Sequence, residues 1–350
     1  MGALRRRSET GAQGATARTP DKSRGGGAEL LVRPAVDEDT PAIVDLLCLA
    51  LGWHSDEQHR ALFAWKHRDN PFGKSPSWVA VDEEGIAGVR IFMRWGFLLG
   101  DRTITAVRAV DTATHPRARG RGIFRTLTLR GVDEMTAEGV NWVFNTPNDQ
   151  SLPGYLSMGW RRLGHLPVAL RPASVRVVPR LAAARVPAEL WSTPTSAGED
   201  AASVVAEGEE LAQLLGSQSP TADSVRTARS VSYLQWRYGA GPVEYRALLA
   251  GPSLRDGVAF FRLRRRGPAT EVAIADVVVP RSDPHLTGRL GRQVLEASGG
   301  DYVIALGTAR PRGWLRLPRI GPLLTWRPLA DTVAPSIEGW ELSAGDVELF

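Results

Sequence analysis

Arg117-Ala118-Arg119-Gly120-Arg121-Gly122 stands between a run rich in Val and Thr, Thr103 to Thr112, and a segment of helical apolar spacing, Ile123 to Glu138. The first run suits a pleated strand. In the second, Ile123, Leu127, Val132 and Met135 share a helix face, and Gly139 closes it. Val140 to Asn145 returns as a short, mostly apolar strand. Strand, loop, helix, strand is a βαβ crossover whose loop lies at the carboxyl end of its first strand, the edge where ligands bind. Glycines at 120 and 122 let successive backbone N–H groups converge on an anion at the helix N-terminus. Arg117, Arg119 and Arg121 add positive charge, and a pyrophosphate suits that cradle.

Upstream, Leu30 to Arg33 reads as a strand, and Asp37, Asp39, Thr40 and Pro41 start a helix that continues through Ile43 to Leu51. Trp78 to Asp82, Gly88 to Trp95 and Thr103 to Thr112 are three antiparallel strands separated by turn signals at Glu84-Gly85 and Gly100-Asp101. Downstream, Asn148-Asp149-Gln150-Ser151 precedes Tyr155 and Gly159-Trp160, on the same edge of the sheet as the Gly/Arg loop.

Arg117-x-x-Gly120-x-Gly122 after Pro116, followed by Asn148-x-x-Ser151-x-x-x-Tyr155-x-x-x-Gly159-Trp160, resembles the two signature motifs of the GNAT acyltransferase superfamily, with Trp in place of the family's Phe. The resemblance covers about residues 29 to 172. It implies acetyl-CoA as cosubstrate, with the pantetheine arm pairing like an extra strand with Thr112, Ala113 and Thr114. Arg117, Ala118, Arg119, Gly120, Arg121, Gly122 and Ile123 would hold the pyrophosphate, and Asn148 and Ser151 would face the cofactor. By the same carry-over Tyr155 is the general acid that protonates the departing thiolate, the alternative being a phenol packed under the loop. The motif offers no nucleophilic Ser or Cys, so the chemistry implied is direct attack of an amine on the thioester. Asp111 is the first candidate base, against the alternative of a carboxylate paired with nearby arginines.

The chain has 350 residues and is 43% apolar, enough for two hydrophobic cores. Its second half echoes the first. Leu62-Phe63-Ala64-Trp65-Lys66-His67 resembles Tyr233-Leu234-Gln235-Trp236-Arg237-Tyr238, and Gly88-Val89-Arg90-Ile91-Phe92 resembles Gly257-Val258-Ala259-Phe260-Phe261. Asp283 to Gly291 does not reproduce the Gly/Arg loop, and no second Asn-x-x-Ser-x-x-x-Tyr follows. The expected fold class is α/β (α+β mixed sheet): two GNAT-like domains, each a mostly antiparallel sheet with helices on both faces and a βαβ crossover. The expected division is a disordered basic tail over 1–28, an active domain over 29–172, a linker over 173–195 and a degenerate domain over 196–350, giving one active site per chain.

The net charge of +5 comes from scattered arginines, which argues against a nucleic-acid partner. The one cysteine, Cys48, excludes an intramolecular disulfide framework and reads as core. His54, His59 and His67 lack the spacing of a helical metal site, so no metal is expected. The apolar runs are too short to span a membrane, and no secretory signal follows Met1, so a soluble cytoplasmic protein is expected, with a homo-oligomer compatible. The partners implied are a CoA thioester and an amine-bearing acceptor. The alternative function is a non-catalytic acyl-CoA-binding or scaffold protein.

Overall fold

The computed structural model describes residues 30–218, 224–307, 313–317 and 319–347. The tail expected over 1–28 lies outside them. The strands are β1 Leu31–Pro34, β2 Ser77–Asp82, β3 Gly85–Leu99, β4 Arg102–Thr114, β5 Trp142–Asn145, β6 Arg161–His165, β7 Val168–Pro172, β8 Glu199–Asp200, β9 Val225–Thr227, β10 Arg246–Leu249, β11 Val258–Arg266, β12 Ala269–Val278, β13 Tyr302–Leu306, β14 Leu315–Leu317 and β15 Leu323–Pro328. The helices are α1 Thr40–Leu51, α2 Glu57–His67, α3 Ile123–Ala137, α4 Leu152–Ser157, α5 Val178–Ala183, α6 Ala201–Ala206, α7 Gly208–Gly216, α8 Val231–Tyr238, α9 Pro284–Ser298 and α10 Ala344–Val347.

The strands form two mixed sheets, one ordered β1-β2-β3-β4-β5-β15-β6 with β9 beside β3, the other β14-β7-β13-β12-β11-β10-β8. Each contains one parallel pair, β4–β5 around α3 and β12–β13 around α9. This is the α/β, two-sheet architecture expected. One face of the first sheet packs on α1 and α2 through Ile43, Val44, Leu47, Phe63, Val89 and Ile91. Its other face packs on α3 and α4 through Trp78, Phe92, Ile123, Leu127 and Tyr155. Cys48 is half-buried in α1.

The sheets exchange strands. β15, from the second half of the chain, fills the first sheet between β5 and β6, while β7 leaves the first half to lie between β14 and β13. The expected boundary at 172 therefore does not follow the sheets. The physical reason is local: β6 and β7 are joined only by Leu166-Pro167, which lacks the Gly or Asn that a two-residue hairpin turn requires. The chain thus crosses between sheets instead of reversing. At the crossing Leu166 N–H donates to the Pro322 carbonyl at 3.0 Å and Gly307 N–H to the Pro167 carbonyl at 2.9 Å. Residues 173–195 are more than a linker, since Glu189 and Thr193 donate backbone N–H groups to Arg265 and Leu263 of β11.

The halves share one core. Trp65, Trp95, Phe97 and Phe144 from the first half meet Tyr233, Trp236, Trp326 and Trp340 from the second. The repeated hexapeptides lie at its centre: the Trp65 and Trp236 rings stack with centroids 4.6 Å apart, and each indole N–H donates to the other's backbone carbonyl, at 2.7 and 2.9 Å. Buried indoles need a partner for that N–H, and this pair supplies it reciprocally.

Candidate active site

β4 and β5 pair only from Ala106 to Arg108 against Trp142 to Phe144. β4 then runs on to Thr114, whereas β5 ends at Asn145, paired along its other side with Thr325 to Pro328 of β15. Backbone groups of residues 109–114 on that side have no strand partner among the described residues, and a wedge opens between the strands. Thr112, Ala113 and Thr114 lie along it; the Thr112 hydroxyl donates to the Val89 carbonyl at 3.1 Å. A bulge accompanies the wedge: the β3–β4 register slips between Val89 and Ile91, and Asp111 takes a φ of 40°.

The Gly/Arg loop follows β4 directly. Gly120 and Gly122 have φ of 80° and 75°, which L side chains rarely adopt, and at neither would a Cβ meet an atom within 4 Å. Gly122 is the N-cap of α3, and no side chain caps that helix. The first-turn amides of a helix have no intrahelical acceptor, so this end presents N–H groups and the positive end of the helix dipole. Ala118 and Ile123 are buried and pin the loop beneath. Arg117 and Arg121 both reach Asp82 of β2, at 2.5 and 3.1 Å. The hydrogen bond from Arg117 is the main cause holding Asp82 below the usual carboxylate range. The backbone therefore contributes more of the cradle than those two side chains do, while Arg119 projects outward exposed. The corresponding helix of the second half is closed: Asp283, N-cap of α9, accepts from the His285 N–H at 2.8 Å, placing the chain's own carboxylate at that helix end.

Asn148 and Ser151 bond chiefly to one another. Asn148 Oδ1 accepts from the Ser151 backbone N–H at 2.9 Å and from its hydroxyl at 2.8 Å, an Asx-type turn that starts α4. Tyr155, on α4, is buried at 3% exposure against the Phe124 and Trp160 rings, and its hydroxyl accepts from Arg90 Nη2 at 2.8 Å. The proline and glycine at 153 and 154 fall in the first turn of α4, where they are tolerated.

Asp111 faces the opposite side of the sheet. Its partners are Lys66 and His67 of α2, the latter 2.8 Å from Nε2, and not the arginines expected as an alternative. Burial alone would raise this carboxyl, but Lys66 and His67 outweigh it and hold the group at about 2. Burial pushes the His67 imidazole below its ordinary value against the pull of Asp111. His67 Nδ1 lies 3.0 Å from the Ser75 hydroxyl, and both residues line a pocket of about 40 Å³ with Thr40, Arg68 and Lys74. A carboxylate held at about 2 takes a proton poorly at neutral pH. Of this cluster the neutral imidazole is the better acceptor.

Sequence reasoning missed Lys66, Arg90 and Arg108. Arg108 of β4 is buried, and its guanidinium donates to the Asp346 carbonyl at 3.1 Å, the Thr146 hydroxyl at 3.2 Å and the Val347 carbonyl at 2.5 Å, tying α10 to the wedge. The available signal was a charged residue inside an apolar strand, at positions 90 and 108 alike. Among the described residues no three His, Cys, Asp or Glu side chains gather as a metal site, and no helix is long and apolar enough to cross a membrane.

A family model described as an acetyltransferase (GNAT) domain matches residues 31–163. Among solved structures the chain is similar to a GCN5-related N-acetyltransferase from Anabaena variabilis, with a TM-score of 0.61 at 13% identity over 86% of this chain and 73% of that one. It is also similar to a conserved protein of unknown function from Enterococcus faecalis, a probable N-acyltransferase, with a TM-score of 0.58 at 12% identity over 86% of this chain and 73% of that one. A GCN5-related N-acetyltransferase from Kribbella flavida gives a TM-score of 0.55 at 14% identity over 86% and 71%. A search of the curated proteins returns no match. The wedge, the uncapped α3 and the match to the GNAT acetyltransferase domain model coincide on one stretch of chain, residues 31–163.

Proposed function

We propose that this protein is a tandem GNAT acyltransferase with one active site, moving an acetyl or short acyl group from acetyl-CoA to a primary amine. The observation that carries the reading is the open, uncapped start of α3 beside the β4–β5 wedge, set against the closed start of α9.

A pyrophosphate would be held by the amides around Gly120 and Gly122, and the unpartnered edge of Thr112, Ala113 and Thr114 would pair with the pantetheine arm. Arg117 and Arg121 then exchange some of their contact with Asp82 for phosphate oxygens, and Arg119 closes from outside. Asn148 and Ser151 form the polar rim beyond β5. The amine attacks the thioester carbonyl, the carbon–sulfur bond breaks, and Tyr155 gives its proton to the departing sulfur. Asp111 serves through His67: it orients the imidazole, whose other nitrogen meets the Ser75 hydroxyl, and the ammonium proton leaves by that route. The arrangement supports no acyl-enzyme step.

The test is calorimetric titration of acetyl-CoA into the wild type and Gly120→Glu. One equivalent bound by the wild type and none by the variant is expected, because the added carboxylate would sit at the anion site. Absence of binding to folded wild type overturns the reading. Binding without transfer to any amine supports the sensor alternative.

A further inference from the structure

Arg90 of β3 is fully buried, at 0% exposure, in a cage of rings. Its guanidinium carbon lies 4.9 Å from the centroid of Phe92, 5.2 Å from Tyr155 and 5.7 Å from Phe124. Nη2 donates to the Tyr155 hydroxyl, whereas Nε and Nη1 have no hydrogen-bond partner, and no carboxylate among the described residues lies at ion-pair distance. Burying a cation with one neutral partner is costly, and cores rarely retain such an arrangement without an anion to meet it. The ring faces offset only part of that cost.

The hydrogen bond has a directional consequence. A guanidinium can only donate, so it occupies a lone pair of the Tyr155 oxygen and leaves the phenolic proton to point elsewhere. No other hydroxyl or carboxylate of the described residues accepts that proton. Tyr155 and Ala109 of β4, on the edge of the wedge, belong to one buried cluster, so an acceptor supplied by a bound molecule is within the reach of this element.

We propose that Arg90 is the residue that makes Tyr155 an acid: it fixes the phenol as acceptor on one side, aims its proton at the leaving sulfur, and neutralises the phenolate left by the transfer. The inference rests on the acyltransferase reading above. In the step, the carbon–sulfur electron pair goes to sulfur, the Tyr155 proton follows it, and the phenolate beside Arg90 regains a proton from solvent. Amine and thioester thus become amide and thiol with nothing left over. Arg90 acts through Tyr155 and is a positioning residue. The other charged groups around α4 are also cations: Arg125 of α3 reaches the Ser157 carbonyl at 3.4 Å, and Arg327 of β15 reaches the Met158 carbonyl at 2.7 Å.

The experiment is steady-state acetyl transfer by wild type, Arg90→Met and Arg90→Lys, each alone and combined with Tyr155→Phe, with acetyl-CoA binding to the same proteins followed by calorimetry. Arg90→Lys, which keeps the donor and the charge, should restore most of what Arg90→Met loses. In turnover, Arg90→Met should lower kcat at least about tenfold with KM little changed, and should cost nothing further in a Tyr155→Phe background. An unchanged kcat in a folded Arg90→Met protein overturns the proposal, as do additive losses in the double variant. Failure of the wild type itself to bind acetyl-CoA overturns the acyltransferase reading instead, so the two failures are distinguishable. Methionine fills a similar volume without charge, which keeps the variant foldable, and Arg90→Gln, also uncharged, is read in the same way if it does not fold.

Discussion

Asp111 holds a backbone conformation, φ of 40°, that only a few side chains tolerate, and asparagine is among them. Asp111→Asn therefore keeps the bulge while stripping Lys66 of its counter-ion. Removing one partner of a buried pair costs about 3 kcal/mol or more, measurable by urea denaturation, and Lys66→Met in the same chain should recover most of it. Acid should act through the same group. Its folded value of about 2 lies below the ordinary 3.8, so its stabilisation is complete above about pH 4 and is lost as the pH falls toward 2. His67, held neutral by burial, adds a penalty once the pH drops below its ordinary 6.5. The melting temperature should thus decline from about pH 6.5 downward, and Asp111→Asn should flatten the part below pH 4. None of this was legible in the sequence: Asp111 stood out as a carboxylate near the loop, but its nearer partner in sequence, His67, lies 44 residues away on another element. By contrast the left-handed backbone at Gly120 and Gly122 was legible, because their spacing records a local backbone requirement.

At the scale of elements, local signals served well and tertiary ones did not. The helix read over Ile123 to Glu138 is α3 to within a residue, and the strand read over Thr103 to Thr112 is β4 with short extensions. Gly131 inside α3 carries no turn; it marks closeness, since a Cβ there would lie 2.7 Å from the Trp78 ring and 3.0 Å from Phe92. Alanine at 131 would gain about 1 kcal/mol of helix propensity and lose about 1–3 kcal/mol to overpacking. We expect Gly131→Ala to be neutral to destabilising, with a lowered denaturant midpoint as the check. The repeat read from the two hexapeptides has a counterpart in contacts: His67 reaches Asp111 of β4 in one half, and Tyr238 reaches Asp276 of β12 in the other. What the repeat could not reveal was the exchange of β7 and β15, which depends on the turn that Leu166-Pro167 cannot make.

At the scale of the molecule, the crossing point is the most demanding feature. A Cβ on Gly321 would lie 1.9 Å from the Leu166 carbonyl oxygen, a backbone atom with no room to retreat. Gly321→Ala should cost about 2 kcal/mol or more and loosen both sheets at once, seen as faster amide exchange in β6 and β7. A chain ended at residue 172 should lack a cooperative thermal transition, because β5 and β6 would face each other across the place of β15. Composition had suggested two cores where the structure has aromatic residues of both halves in one, a difference that only the three-dimensional path decides.

The exchanged strand also sets a clock on biosynthesis. Thr325 is made 180 residues after Asn145, its neighbour in the first sheet. At typical translation speeds of about 5–20 residues per second, the nascent first half would wait roughly 10–40 s with its β5 edge bare. During that interval the newborn chain is a client for whatever shields naked strand edges in the cell, and the sheet that borders the β4–β5 wedge is complete only once β15 has emerged.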